Sequence, residues 1–127
     1  MNEQEKKPVV LAVDDTPENL DVVKGLLAST FIVKAAVNGM MALKIVDKQP
    51  PDLILLDIRM PGMDGFEVCH TLKANEASVA IPVIFLTGES DAESEADALA
   101  AGAAGFITKP IDPDALLATI ADCLKRP

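Results

Sequence analysis

Three carboxylates, a hydroxyl and an amine each directly follow an apolar run in this sequence. Asp14 and Asp15 follow PVVLAV, Asp57 follows LILL, Thr87 follows PVIFL, and Lys109 follows AAGFIT. Neighbouring carboxylates repel one another and invite a cation. Hard oxygen ligands suit Mg2+, which takes one or two carboxylates, several waters and a phosphate oxygen. One Lys supplies a compact positive charge for a phosphoryl oxygen. A hydroxyl donates to another such oxygen, and a carboxylate acts as a nucleophile to form an acyl phosphate. Metal and Lys together neutralise charge on a transferring phosphoryl group. The set fits Mg2+-dependent phosphorylation of an aspartate. Any one of these residues also reads as an ordinary loop residue or helix cap. That reading is weak for all five together.

These side chains meet only if the apolar runs are strands of one parallel sheet. The sequence predicts strands at Pro8–Val13, Phe31–Ala36, Leu53–Leu56, Pro82–Leu86 and Ala103–Thr108. Their continuous apolar character is that of strands buried on both faces. Helical segments alternate with them. Thr16-Pro17-Glu18 reads as a helix start, with Thr16 as a hydroxyl N-cap and Pro17 at the first position. Leu20, Val23 and Leu27 form that helix's apolar stripe. Asn38 caps a second helix with Ala42, Ile45 and Val46 inward, ended by Pro50-Pro51. A third runs from Asp64, an N-cap, to Lys73, with Phe66, Cys69 and Leu72 inward. A fourth, Glu89–Ala101, carries five acids and ends at Gly102. The fifth starts at Asp112-Pro113-Asp114 and buries Leu116, Ile120 and Cys123. Such alternation makes right-handed βαβ units, a parallel sheet covered on both faces. Its ligands bind at the C-terminal rim of the strands.

Composition narrows the function. The 127 residues predict a loose polar tail over 1–7 and one domain over 8–127, and half of them are apolar. The net charge of −9, from 20 acids and 11 bases, disfavours direct binding to nucleic acid or an anionic membrane. Trp and Tyr are absent, so there is no evident platform for stacking bases. No apolar run approaches a membrane span, and the first residues lack a signal peptide's order, so a cytoplasmic location is expected. Cys69 and Cys123 read as two core thiols rather than a disulfide or metal pair. His70, the sole His, falls in the third helix away from the rim and reads as a partly exposed surface residue. Met60 and Met63 read as cover over apolar surface. Neither G-x-x-x-x-G-K-[ST] nor G-x-G-x-x-G occurs.

Val13-Asp14-Asp15, LLDIRMPGMDG around Asp57, Thr87-Gly88 and Lys109-Pro110 occur in this order. With this set the chain resembles the receiver domains of two-component response regulators, over roughly Pro8 to Lys125. The resemblance implies a flavodoxin-like (βα)5 three-layer sandwich, α/β in class, with a parallel five-stranded sheet of order 2-1-3-4-5. It implies that Asp57 accepts phosphate from a phosphohistidine on a sensor histidine kinase or phosphotransfer protein. Asp15, Asp57 and the backbone carbonyl of Arg59 would ligate Mg2+, or Mn2+ in its place, with Asp14 acting through water. Lys109 would pair with the phosphoryl group, Thr87 would move to bond it, and the Lys109-Pro110 bond would be cis. Phe106, three residues before Lys109, stands where the family carries a switch aromatic; the plainer reading is core. Arg59 and Glu89 would flank the pocket.

The expected partners are that kinase or phosphotransfer protein and a downstream effector domain or protein, with the chain a monomer or a phosphorylation-dependent homodimer. The expected role is a switch that catalyses only its own phosphorylation and dephosphorylation. A phosphorylation-independent receiver is the alternative, and the presence of all the expected acids, Thr87 and Lys109 counts against it. An aspartyl-nucleophile phosphatase needs a second Asp two residues after the nucleophile, where this sequence has Arg59. The sequence stops at Pro127, just after the fifth helix. This leaves open both a stand-alone receiver and one cut from a longer regulator.

Overall fold

The computed structural model describes residues 7–58, 60, 62–88 and 92–125. The expected tail at 1–6, the carbonyl of Arg59, Pro61 in the loop, and the acids Glu89 and Asp91 lie outside the described residues. Ten elements alternate: β1 (Val9–Val13), α1 (Pro17–Leu27), β2 (Ile32–Ala36), α2 (Gly39–Lys48), β3 (Leu53–Asp57), α3 (Gly65–Lys73), β4 (Val83–Thr87), α4 (Ala92–Ala100), β5 (Gly105–Thr108) and α5 (Pro113–Lys125). The strands form one parallel sheet of order β2-β1-β3-β4-β5. β3 and β4 are buried at every residue, whereas the edge strands β2 and β5 are mostly half-buried.

Successive residues of a strand point to opposite faces, and here the core divides accordingly. Leu11, Val13, Ile54, Leu56, Val83 and Phe85 pack under α2, α3 and α4. Val10, Ala12, Leu53, Leu55, Ile84 and Leu86 pack under α1 and α5. The cysteines fall on opposite sides of the sheet, Cys69 in the first cluster and Cys123 in the second, and neither is in a disulfide. The Cys69 thiol donates to the Ala101 carbonyl at 3.2 Å, and burial pushes its pKa up. It is a core thiol that joins α3 to the end of α4.

The local signals act with some changes of detail. Asn38 Oδ1 accepts from Met41 N at 2.8 Å and caps α2. Asp64 and Glu67 form a reciprocal capping box at the start of α3, both bonds 2.9 Å. Asp64→Ala removes half of that box. It should cost about 1 kcal/mol, read as a melting temperature roughly 4 °C lower. Asp112 Oδ1 accepts from Asp114 N at 3.3 Å, which places it as the turn residue opening α5. Gly102 ends α4 at φ +98°, where the Ala103 amide donates to Ala98 O at 3.1 Å and the Gly102 amide to Leu99 O at 3.0 Å. β5 therefore begins at Gly105 rather than Ala103, because the Ala103 amide belongs to the helix stop.

One expectation is corrected and two are refined. Thr16 sits at the N-cap of α1 but its side chain makes no capping bond. Its backbone amide goes instead to Asp14 Oδ1 at 3.0 Å. The buried face of α3 is Gly65, Val68, Cys69 and Leu72, and Phe66, half-buried, packs against the same core with its ring tilted by 53° at 5.2 Å from that of Phe85. In α2, Ile45 is likewise half-buried while Gly39, Ala42 and Val46 face the core. Gly39 packs so closely on α3 that an added Cβ would lie 2.7 Å from Val68 Cγ2.

Candidate functional site

The register of the sheet carries the polar residues to one rim. Val13 pairs with Leu56, Asp57 with Leu86, and Thr87 with Thr108. The residue that ends each of these four strands, or the next one, therefore comes level with its neighbours. Asp14, Asp15, Asp57, Thr87 and Lys109 line one open cleft of about 470 Å³, together with Thr16, Asn19 and Gly88. Asp14, Asp57 and Thr87 are buried and Asp15 is exposed.

Two close approaches fix where Asp57 emerges. The Gly65 amide donates to Ile58 O at 2.9 Å, so the loop after β3 folds back on itself. Gly65 then presses on the strand end, where an added Cβ would lie 2.5 Å from the Asp57 carbonyl oxygen. The loop methionines cover this turn, Met60 buried and Met63 half-buried. Both are packed in the same core as α2 and α3.

The charges are closely set. Carboxylate oxygens of Asp14, Asp15 and Asp57 lie within 4.8 Å of one another. Lys109 Nζ is 3.2 Å from Asp14 Oδ2 and 3.5 Å from Asp57 Oδ1. Burial pushes the Asp57 carboxyl up to about 6, Lys109 opposes this, and the charges of Asp14 and Asp15 add to the rise. Asp14 is held by more than the cation. Its Oδ1 accepts from Thr16 N, and its Oδ2 accepts from Asn19 Nδ2 at 3.2 Å as well as from Lys109.

The structure thus brings together Asp14, Asp15, Asp57, Thr87 and Lys109. The Lys109-Pro110 bond is cis. Phe106 lies opposite Phe85 in the β4–β5 register, half-buried against the α2–α3–α4 core. His70 is exposed in the last turn of α3. Asn19 was not singled out by sequence reasoning. Its place five residues beyond Asp14, in the first turn of a helix that starts right at the rim, was the available signal.

The family described as "response regulator receiver domain" matches residues 10–121. The chain belongs to this family, whose members are signalling switches. It is 39% identical over 112 residues to the response regulator PleD of Caulobacter vibrioides, covering 87% of this chain and 25% of that protein. It is 44% identical over 102 residues to a probable cyclic di-GMP phosphodiesterase of Vibrio cholerae, covering 80% of this chain and 23% of that one. The chain therefore spans about a quarter of the length of these relatives. Among solved structures, the chemotaxis protein CheY4 of Vibrio cholerae superposes with a TM-score of 0.87 at 32% identity, covering 92% of this chain and 98% of CheY4. Among the described residues, no helix is long and apolar enough to cross a membrane.

Proposed function

We propose that Asp57 accepts a phosphoryl group from a phosphohistidine on a sensor kinase or phosphotransfer protein, and that the modification switches the binding of a downstream domain or protein. One observation carries this reading: a buried carboxylate ends a fully buried central strand, with Lys109 Nζ 3.5 Å away and two further carboxylates at hand. A charge so placed is costly unless it is compensated. An Asp57 pKa near 6 leaves the carboxylate ionised, and so nucleophilic, at neutral pH.

In the transfer, an Asp57 carboxylate oxygen forms a bond to phosphorus while the bond from phosphorus to the imidazole nitrogen breaks. The electron pair of that bond leaves with the imidazole. Lys109 balances charge on the moving group, and the Thr87 hydroxyl, level with it on the rim, donates to a phosphoryl oxygen. The oxygens of Asp14, Asp15 and Asp57 are hard donors of the kind Mg2+ prefers, close enough together to share one ion. Asp15 and Asp57 would ligate it with the Arg59 carbonyl. Asp14, whose two oxygens already accept protein donors, suits a role through water. When bound, the ion supplies charge neutralisation for the phosphoryl oxygens. Repositioning of Thr87 with Phe106 would carry the change towards β5, where a partner reads it. The named relatives are about four times as long as their match to this chain, which supports an output domain or protein as the reader.

The test is mass spectrometry after incubation with acetyl phosphate and Mg2+. One phosphoryl adduct is expected on the wild type, none on Asp57→Asn, and none without the metal. Asp15→Ala should abolish the Mg2+-dependent reaction. An adduct undiminished in Asp57→Asn would sink the assignment.

A further inference from the structure

Asp14 is the crowded member of the cluster. It is 4% exposed and its carboxylate serves three donors. Two of these come from the start of α1: the Thr16 amide on Oδ1, and the Asn19 side-chain amide on Oδ2. The third is Lys109, from the far side of the sheet, which shares Oδ2 with Asn19 and also reaches towards Asp57. An ionised carboxylate only accepts, so the Asn19 amide must present its nitrogen to Asp14. The Asn19 backbone is itself anchored, its amide donating to Thr16 O at 3.0 Å in the first helical turn. A rigid fork of two donors thus sets the plane of the Asp14 carboxylate.

We propose that Asn19 is a positioning residue for the metal and phosphoryl site. Resting on the phosphoacceptor reading above, it acts by dividing Asp14 Oδ2 between itself and Lys109. With the Asn19 donor in place, Oδ2 keeps a neutral partner, and Lys109 stays spread between Asp14 and Asp57. Without it, Lys109 is the remaining side-chain partner of Oδ2 among the described contacts. The ion pair then closes, turning the Asp14 carboxylate away from the other two and drawing Lys109 from Asp57. The first shift weakens the site for a cation, since groups that orient ligands govern metal affinity, and the second takes Lys109 from the place where it would meet the phosphoryl group.

Mg2+ binding by calorimetry tests this without reference to activity. Asn19→Leu keeps the branched shape and removes the donor, Asn19→Ala removes both, and Asn19→Gln keeps the amide. Leu and Ala variants should bind Mg2+ on the order of 10-fold more weakly, with Gln restoring most of the loss. In phosphorylation by acetyl phosphate, the half-saturating Mg2+ concentration should rise by more than the maximal rate falls. A merely structural role would lower the melting temperature without that split. Wild-type Mg2+ affinity in the folded Leu or Ala variant would overturn the proposal, as would a Gln variant as impaired as Leu. A wild type that forms no adduct would instead overturn the phosphoacceptor reading, so the two failures are distinct.

Discussion

Gly65→Ala should destabilise the protein by about 1–3 kcal/mol, towards the upper end of what overpacking costs, and slow phosphorylation of Asp57. The added Cβ would lie 2.5 Å from Asp57 O, 2.9 Å from Ile58 Cα and 3.1 Å from Asp57 C. These are backbone atoms in a buried strand end, so no flexible side chain can yield. Either α3 lifts off, weakening the contacts of Val68 and Cys69, or the end of β3 moves and takes the Asp57 carboxylate with it. A displacement of about 1 Å is enough to reduce a transfer rate ~100-fold. Gly25 supplies the control, because an added Cβ there meets nothing within 4 Å and the site lies inside α1. Gly25→Ala should therefore stabilise by about 0.5–1 kcal/mol through helix propensity. Urea unfolding of both variants gives the comparison; equal effects would show that α3 does not press on the strand.

Without metal, Asp57→Asn should be more stable than the wild type at pH 7.5, by on the order of 1–2 kcal/mol, although it removes the proposed phosphoacceptor. The ordinary carboxyl value is 3.8, and burial pushes Asp57 up to about 6. Each unit corresponds to about 1.4 kcal/mol, so ionisation in the fold costs on the order of 3 kcal/mol at most; the variant recovers part of this and loses the Lys109 contact. The native state takes up its proton more readily than the unfolded chain. The cost is therefore fully present above about pH 6, shrinks as the pH falls, and is gone below about 3.8. The stability gap between the two proteins should close over that same window. Saturating Mg2+ should reverse the order, since a ligand at 100 times its Kd stabilises the native state by about 2.7 kcal/mol. Thermal melts in EDTA across the pH range give the reading. A variant less stable than the wild type at pH 7.5 in EDTA would contradict the strain assigned to Asp57.

Much of this was legible because it depends on pattern. Continuous apolar runs such as Leu53–Leu56 are what doubly covered strands require, and a polar residue after each run marks the rim. Parallel order then brings Asp14, Asp57, Thr87 and Lys109 together without knowledge of any side chain. What escaped depends on phase and on competition for donors. Phe66 and Val68 are both apolar, and either fits a buried stripe at helical spacing. Gly65 lies against the Asp57 carbonyl, and Val68, nearly a turn further on, is buried beside Cys69. Thr16 has the residue type of a cap, but the Asn19 amide that its hydroxyl would accept goes to the Thr16 carbonyl, which the sequence pattern does not display. The role of Asn19 is hidden for the same reason, since it lies in a hydrogen bond shared with a residue from the other end of the chain.

The Asp14–Lys109 pair joins residues 95 positions apart, just past the ends of strands β1 and β5, with β3 and β4 between them. Contacts of such sequence separation bear the highest loop-closure cost and close late in folding. During synthesis, the three acids are made well before Lys109, which stands among them. A chain with only β1 to β4 holds a cluster of mutually repelling carboxylates without Lys109 to offset their charge. The proposed phosphoryl site is thus complete only when the last strand docks, which ties its chemistry to the finished fold.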